Sequence, residues 1–367
     1  MMAIIFAFSA FAACGTSEKP DGDTTAEETP LEEPDYTFKE YNVKDNIDNL
    51  KLLGRSLLYG DSILMDWSAS GISFNFHGAE TLRLKMTFQS EVNNGKADIV
   101  VTIDNKDYTV SASGKGARKY TVTTSLEDGD HSVTIRRKSM VESGAKGLML
   151  SLESVSFAGY FLEKPADNTY KVAFVGDSIT CGVGLDGKNE DGLATYAVNF
   201  VDNNNYDYDI CAISGIGVQY STEKHGYGDH NMAEYYPYYN YYRSDAIMYV
   251  PERKADFVVV NLNTNDNKGA TEKLYKEAVK KLISEIRAVN GAKTPIMWYL
   301  GMMADTAKTN QWLGEVFAEL GGESAGLYIF SASYADTKGG NKHPSYAAHL
   351  ASVERLNYFV FKNKIFG

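Results

Sequence analysis

Between about Thr37 and about Leu162, apolar and polar residues alternate in short runs. Ile72-Ser73-Phe74-Asn75-Phe76 and Leu82-Arg83-Leu84-Lys85-Met86 each turn every second side chain to one face. That is the period of a half-buried strand. Asp98–Ile103, Tyr120–Thr123, His131–Ile135 and Leu148–Phe157 repeat it. His77-Gly78, Asp104-Asn105 and Gly129-Asp130 read as strand ends and turns between them. No helix-period run interrupts the series, so the stretch predicts an all-β sandwich or jelly roll.

From Tyr170 the pattern changes. Apolar runs at Lys171–Val175, Tyr206–Ser214, Asp256–Leu262, Pro295–Leu300 and Leu327–Ser331 read as buried strands. Helical stretches are predicted at Thr271–Asn290, Gln311–Leu320 and Tyr346–Phe361. The first carries Leu274, Ala278, Leu282, Ile283 and Ile286 on one face. This alternation predicts a parallel α/β sheet. The boundaries that follow are 37–162 for the β domain and 168–367 for the α/β domain. Ahead of both, Ala3–Ala13 is apolar and too short to span a bilayer. Phe11-Ala12-Ala13-Cys14 looks like a bacterial lipobox, although no Lys or Arg precedes Lys19. Residues 1–14 are thus read as a lipoprotein signal peptide with Cys14 lipidated, and 15–36 as a disordered tether too polar to fold. The expected location is the bacterial cell envelope, exported and anchored only through this lipid.

Composition narrows the partners. A formal charge of −12 argues against nucleic acid and against electrostatic binding to anionic membrane, and suits a neutral substrate. Tyr is abundant, and the segment 227–249 holds Tyr227, Tyr235, Tyr236, Tyr238, Tyr239, Tyr241, Tyr242 and Tyr249. Such a loop either lines a cleft, with Tyr235 and Tyr238 as wall residues, or is packed by its own aromatics. Trp298, at the carboxyl end of a predicted strand, is either near the site or core. His77 and His131 are isolated, and His225 and His230 lack a third ligand, so no metal or other cofactor is implied. Cys181 and Cys211 read as two buried thiols, although an oxidising compartment would permit pairing.

The candidate chemistry lies in Val172–Gly184, VAFVGDSITCGVG. An apolar strand runs into Gly176, which permits a sharp turn, and Asp177, which can cap a helix. Ser178 sits at the turn, at the edge where open α/β sheets bind ligands. The bland reading is an ordinary turn with a capping Ser. Position 180 is Thr, so the G-x-S-x-G elbow of α/β-hydrolases is absent. GDSIT instead resembles the first block of the SGNH (GDSL-type) hydrolase superfamily. Gly215 in ISGIG, Asn263-Thr264-Asn265-Asp266 and His343-Pro344 follow in that superfamily's order, each after a predicted strand or before the closing helix.

The resemblance implies a flavodoxin-like three-layer α/β hydrolase domain behind the β domain. It implies Ser178 as nucleophile, His343 as base, and an oxyanion hole formed by Ser178, Gly215 and Asn265. Serine needs such a base, and removing one oxyanion donor costs roughly 10²–10³ in rate. Two positions depart from the pattern. Asn263 stands where Gly is usual, and Gly340 stands where the family places an Asp three residues before its His. A backbone carbonyl near Gly340 or Asn341 would then orient the imidazole, with Asp336 as the other candidate. The β domain, the GDSITCG block and the missing Asp resemble carbohydrate esterase family 2. That family removes acetyl groups from plant polysaccharides such as xylan and glucomannan. A lipase- or thioesterase-type hydrolase and a glycan-binding protein with a vestigial site are the rival readings. The β domain serves either as a carbohydrate-binding module or, the favoured reading, as a wall of the cleft.

Overall fold

The computed structural model describes residues 37–90, 95–140, 148–187, 189–221, 230–240, 247–303, 307–332, 336 and 338–367. The signal peptide, Cys14 and the tether lie outside these residues, as do His225, Tyr227, Tyr241 and Tyr242. Among the described residues, nine strands form an antiparallel sheet: β1 (Phe38–Asn42), β2 (Lys51–Leu53), β3 (Leu57–Tyr59), β4 (Ser62–Leu64), β5 (Gly71–Ser90), β6 (Lys96–Ile103), β7 (Lys106–Ser113), β8 (Gly116–Arg137) and β9 (Leu148–Phe161). Phe74, Phe76, Leu84, Met86, Ile99, Val133 and Leu150 fill its core, which matches the alternation read from the sequence. Asp104 and Asn105, with φ of 49° and 68°, turn the β6–β7 hairpin. Two left-handed residues suit the twist of a two-residue hairpin.

Two turn readings are corrected. His77-Gly78 does not end a strand, and Gly129-Asp130 does not separate two. Both pairs lie inside β5 and β8, where His77 pairs with Asp130 and Gly78 with Gly129. The register shifts between Gly78 and Arg83, and Glu80 has φ of 63°. A Cβ on Gly78 would meet the Ala158 carbonyl oxygen at 2.0 Å. The glycine marks a bulge with close strand approach, and sequence alone does not separate that from a turn.

The second half begins with β10 (Lys171–Gly176), followed by a small hairpin of β11 (Val183–Asp186) and β12 (Asn189–Glu190). Strands β13 (Asp207–Ala212), β14 (Phe257–Asn261), β15 (Ile296–Leu300) and β16 (Leu327–Ser331) join β10 in a parallel sheet, ordered β13-β10-β14-β15-β16. The order reverses at β10, and ligand sites of open α/β sheets gather where it does. The helices are α1 (Ser178–Cys181), α2 (Tyr196–Asn204), α3 (Met232–Tyr235), α4 (Glu272–Asn290), α5 (Ala307–Glu319) and α6 (Tyr346–Lys362). Side chains of α2 and α6 pack on one face around Phe174, Phe257 and Tyr299. Those of α3, α4 and α5 pack on the other around Val175, Val260 and Trp298. Helix α2 was not read from the sequence, although its Thr195 cap, which accepts from the Val198 N–H, is an ordinary start signal.

After β4 the chain enters the two cores of the parallel sheet. Trp67 enters the α3/α4/α5 core and Ala69 the α2/α6 core. The Ala69 carbonyl accepts from the Tyr208 hydroxyl at 2.7 Å. That bond ties the segment after β4 to β13, an end strand of the parallel sheet.

Candidate active site

Strand β10 ends at Gly176 because the next turn leaves no room for a side chain there. A Cβ would lie 2.0 Å from Thr180 Oγ1. Asp177 caps α1, its carboxylate accepting from the Ile179 N–H at 3.0 Å. Ser178 is the first helical residue and is 7 % exposed. His343, in the loop before α6, points its Nε2 at Ser178 Oγ across 2.8 Å. Its Nδ1 faces the Asn341 carbonyl at 3.1 Å, so the ring carries its proton on Nδ1 and offers Nε2 as acceptor. Asp336 is turned elsewhere, accepting from Ser345 Oγ at 2.7 Å and the Lys338 N–H at 2.7 Å. Of the two orienting groups weighed from the sequence, the carbonyl occupies the position and Asp336 does not. Burial holds His343 below the ordinary imidazole value. The Asn341 carbonyl opposes this, and Lys268 adds to it.

The other two predicted residues come to the same sheet edge. The N–H of Ile213, two residues before Gly215, bonds to the Gly176 carbonyl at 3.2 Å. Gly215 itself has φ of 81°, a left-handed conformation that favours glycine. Asn265 Nδ2 donates to the Ile216 carbonyl at 2.9 Å and reaches Asp177 Oδ2 at 3.4 Å. It thus lies between the second-block loop and the cap of α1. Asn263 has φ of 119°, which explains why glycine is usual there. The strained backbone is held by its own amide. Nδ2 donates to Asn310 Oδ1 at 2.8 Å and Thr309 Oγ1 at 3.3 Å, and Oδ1 accepts from the Tyr275 hydroxyl.

The sequence did not reveal what fixes the second-block loop. Asp266 is 1 % exposed, and its carboxylate accepts from the N–H groups of Val218, Gln219 and Tyr220 at 2.8–2.9 Å. Burial pushes this acid up to about 6, against the pull of those three donors. Tyr220 packs on Gly269, where a Cβ would lie 2.3 Å from its ring. No local signal marked this contact, because the loop that Asp266 holds lies 46–48 residues away in the chain.

Two proposed substrate contacts are corrected. Trp298 is 0 % exposed on central strand β15, edge-on to Phe317 at 6.0 Å. Tyr235 is 1 % exposed, edge-on to Trp67 at 5.7 Å, and its hydroxyl donates to Asn240 Oδ1 at 2.7 Å. Both belong to the core. Tyr238 is half-buried and bridges to Met248. Around it Tyr236, Tyr239 and Tyr249 are buried, so the described part of this segment is packed by its own aromatics. The organiser is Arg55, from the loop between β2 and β3. Its guanidinium is fully buried, 3.8 Å from the Tyr249 ring centre, and it donates to the Tyr236 and Tyr238 carbonyls at 2.6 and 2.8 Å. Cys181 and Cys211 are buried thiols, and burial pushes Cys211 up to about 12.

The comparisons agree with this architecture. Residues 174–351 match the GDSL-like lipase/acylhydrolase family, and residues 52–150 match the carbohydrate esterase 2 N-terminal domain. Cellulase/esterase CelE of Acetivibrio thermocellus is 28 % identical over 330 residues, which is 82 % of this chain but only 37 % of that relative's length. A family two carbohydrate esterase from Clostridium thermocellum, solved with cellohexaose, has a TM-score of 0.74 at 24 % identity over 86 % of this chain and 99 % of its own. The acetyl xylan esterase Est2A of Butyrivibrio proteoclasticus has a TM-score of 0.75 at 19 % identity, covering 90 % of this chain and 100 % of its own. The chain therefore joins a segment matching the carbohydrate esterase 2 N-terminal domain to one matching the GDSL-like lipase/acylhydrolase family, in the fold of the solved family 2 carbohydrate esterases.

Proposed function

We propose that this protein is a carbohydrate O-acetyl esterase acting on plant-type polysaccharides such as xylan or glucomannan. The observation that carries the reading is the 2.8 Å approach of His343 Nε2 to Ser178 Oγ, with Nδ1 turned to a neutral carbonyl. Ser178 Oγ attacks the acetyl carbonyl and His343 Nε2 takes its proton. The N–H groups of Ser178 and Gly215 and the Asn265 amide hold the oxyanion. The sugar oxygen leaves with the proton returned by His343. Water, deprotonated by the same nitrogen, then releases acetate and restores Ser178. The match to carbohydrate esterases, one solved with cellohexaose, supports a polysaccharide substrate. Export and a lipid anchor at Cys14 complete the proposal. It is tested by acetate release from acetylated xylan and from a chromogenic acetyl ester. Wild type is expected to release acetate and Ser178→Ala to release none. Equal release from both contradicts the reading.

A further inference from the structure

We propose that the β11–β12 hairpin is the positioning element for His343, standing in for the missing triad carboxylate. The inference rests on Ser178 and His343 being the reactive pair. The hairpin grows directly out of the nucleophile helix. Gly182 caps α1 with φ of 80°, and β11 starts at the next residue. Gly182 also closes the hairpin's base, since the Asp191 N–H donates to its carbonyl at 2.9 Å and a Cβ on it would lie 2.1 Å from Asp191 O. Farther along, the hairpin meets the His343 loop backbone to backbone. A Cβ on Gly340 would sit 1.6 Å from the Gly187 carbonyl oxygen and 3.1 Å from the Gly184 Cα. A Cβ on Gly184 would sit 2.1 Å from the Gly340 carbonyl oxygen. Real Cβ atoms do not approach backbone this closely, so glycine is required on both sides of the contact.

This contact accounts for the position that departs from the family pattern. An Asp three residues before His343 has no room for its first side-chain carbon, because the Gly187 carbonyl stands there. The same contact fixes what replaces it. The His343 N–H donates to the Gly340 carbonyl at 3.1 Å, and the Gly339 N–H donates to the His343 carbonyl at 2.9 Å. Between them Asn341 and Lys342 have φ of 54° and 61°. Two successive non-glycine residues in this region are strained and persist only where the surroundings impose them. That bend brings the Asn341 carbonyl to Nδ1. From Ser178 through Gly184 to Gly340 and His343, the spacing of nucleophile and base is thus set by backbone contact. The clamp adds no charge beside the imidazole.

The test uses the full chain with Gly340→Ala, Gly184→Ala, the double variant and Gly340→Asp. Gly60→Asn is the control, because Gly60 is left-handed with open space around it in the β3–β4 turn. Gly340→Ala and Gly184→Ala are each expected to lose about 10²-fold in kcat, the scale of an ångström misplacement, with KM little changed. The acid limb of kcat/KM should move to lower pH, since the Asn341 carbonyl favours the charged ring. The double variant should lose less than the product of the singles, and Gly340→Asp should be as impaired as Gly340→Ala. Hydrogen exchange on wild type adds a readout independent of variant folding. The His343 amide should be protected as strongly as the Asp191 amide of the hairpin. The proposal is overturned by wild-type kcat in both alanine variants, by lost kcat with an unmoved acid limb, by wild-type activity in Gly340→Asp, or by a His343 amide exchanging freely beside a protected hairpin. Ser178→Ala run in parallel separates the two levels. Activity remaining there removes the reactive pair itself, whereas wild-type kcat in Gly340→Ala beside an inactive Ser178→Ala removes only the clamp.

Discussion

Two nitrogen bases in this molecule, Arg55 and His343, are held in opposite ways. Arg55 is sealed under the Tyr-rich segment with Asp209 Oδ1 at 3.9 Å and three aromatic rings around its guanidinium. His343 lies half-buried at the edge of the parallel sheet with a carbonyl as partner and no carboxylate ion-paired to it among the described residues. Burial works against the charge of both. At Arg55 the facing Cys211, Asp209, Tyr249 and Tyr236 win, and the pKa stays above its ordinary value. At His343 burial wins, and the ring is left neutral. The difference separates a fixed structural charge from a group able to accept a proton. A neutral partner orients an imidazole without making it a cation, and a general base needs that state.

The largest expected effect lies on the structural side. Arg55→Met leaves Asp209 buried without a countercharge and should cost about 3–5 kcal/mol of stability by denaturant unfolding. Arg55→Met combined with Asp209→Leu should recover most of that loss. If the single variant is as stable as wild type, the cluster does not hold the segment. At the proposed site, Asn265→Ala should lower kcat about 10²–10³-fold, near 3–4 kcal/mol, beside a stability loss of about 1–3 kcal/mol for the bond to the Ile216 carbonyl. Lost stability with wild-type kcat in the folded variant would make Asn265 another structural group.

A third test concerns His349, a fully buried imidazole whose Nδ1 accepts from the Tyr196 N–H at 2.9 Å. Burial lowers it to about 3 from an ordinary 6.5. Its stabilisation is complete above pH 6.5 and is lost as pH falls from 6.5 towards 3. Between pH 7 and pH 4 the loss should reach about 3 kcal/mol. His349→Asn keeps an acceptor near Nδ1 and should flatten that slope in pH-dependent unfolding. An unchanged slope assigns the acid sensitivity elsewhere. The smallest effect is expected from Lys268→Gln. Lys268 depresses His343, so its removal should move the acid limb of kcat/KM upward, only slightly given its exposure.

The candidate site at the sheet edge was legible in the sequence because its signals are local. A strand end, a capping Asp, a Gly with positive φ and a His before a helix each declare themselves within a few residues. Gly340 standing where Asp is usual showed that the orienting acid was missing, but left a backbone carbonyl and Asp336 as alternatives to replace it. What stayed hidden depends on contacts distant in sequence. Arg55 meets Tyr236 and Tyr238 about 180 residues away. Trp298 and Tyr235 stayed open between cleft and core because aromatic residues fit sugars as well as they fit cores, and only packing separates the two. Gly78 and Gly129 read as turn glycines because a bulge inside a long strand breaks the alternation in the same way.

The most direct measurement is to label the full chain with a serine-directed fluorophosphonate and locate the adduct by intact mass and peptide mapping. The account predicts one adduct, on Ser178, lost in His343→Ala because the hydroxyl then has no base. An adduct on another residue, or equal labelling with and without His343, would contradict it.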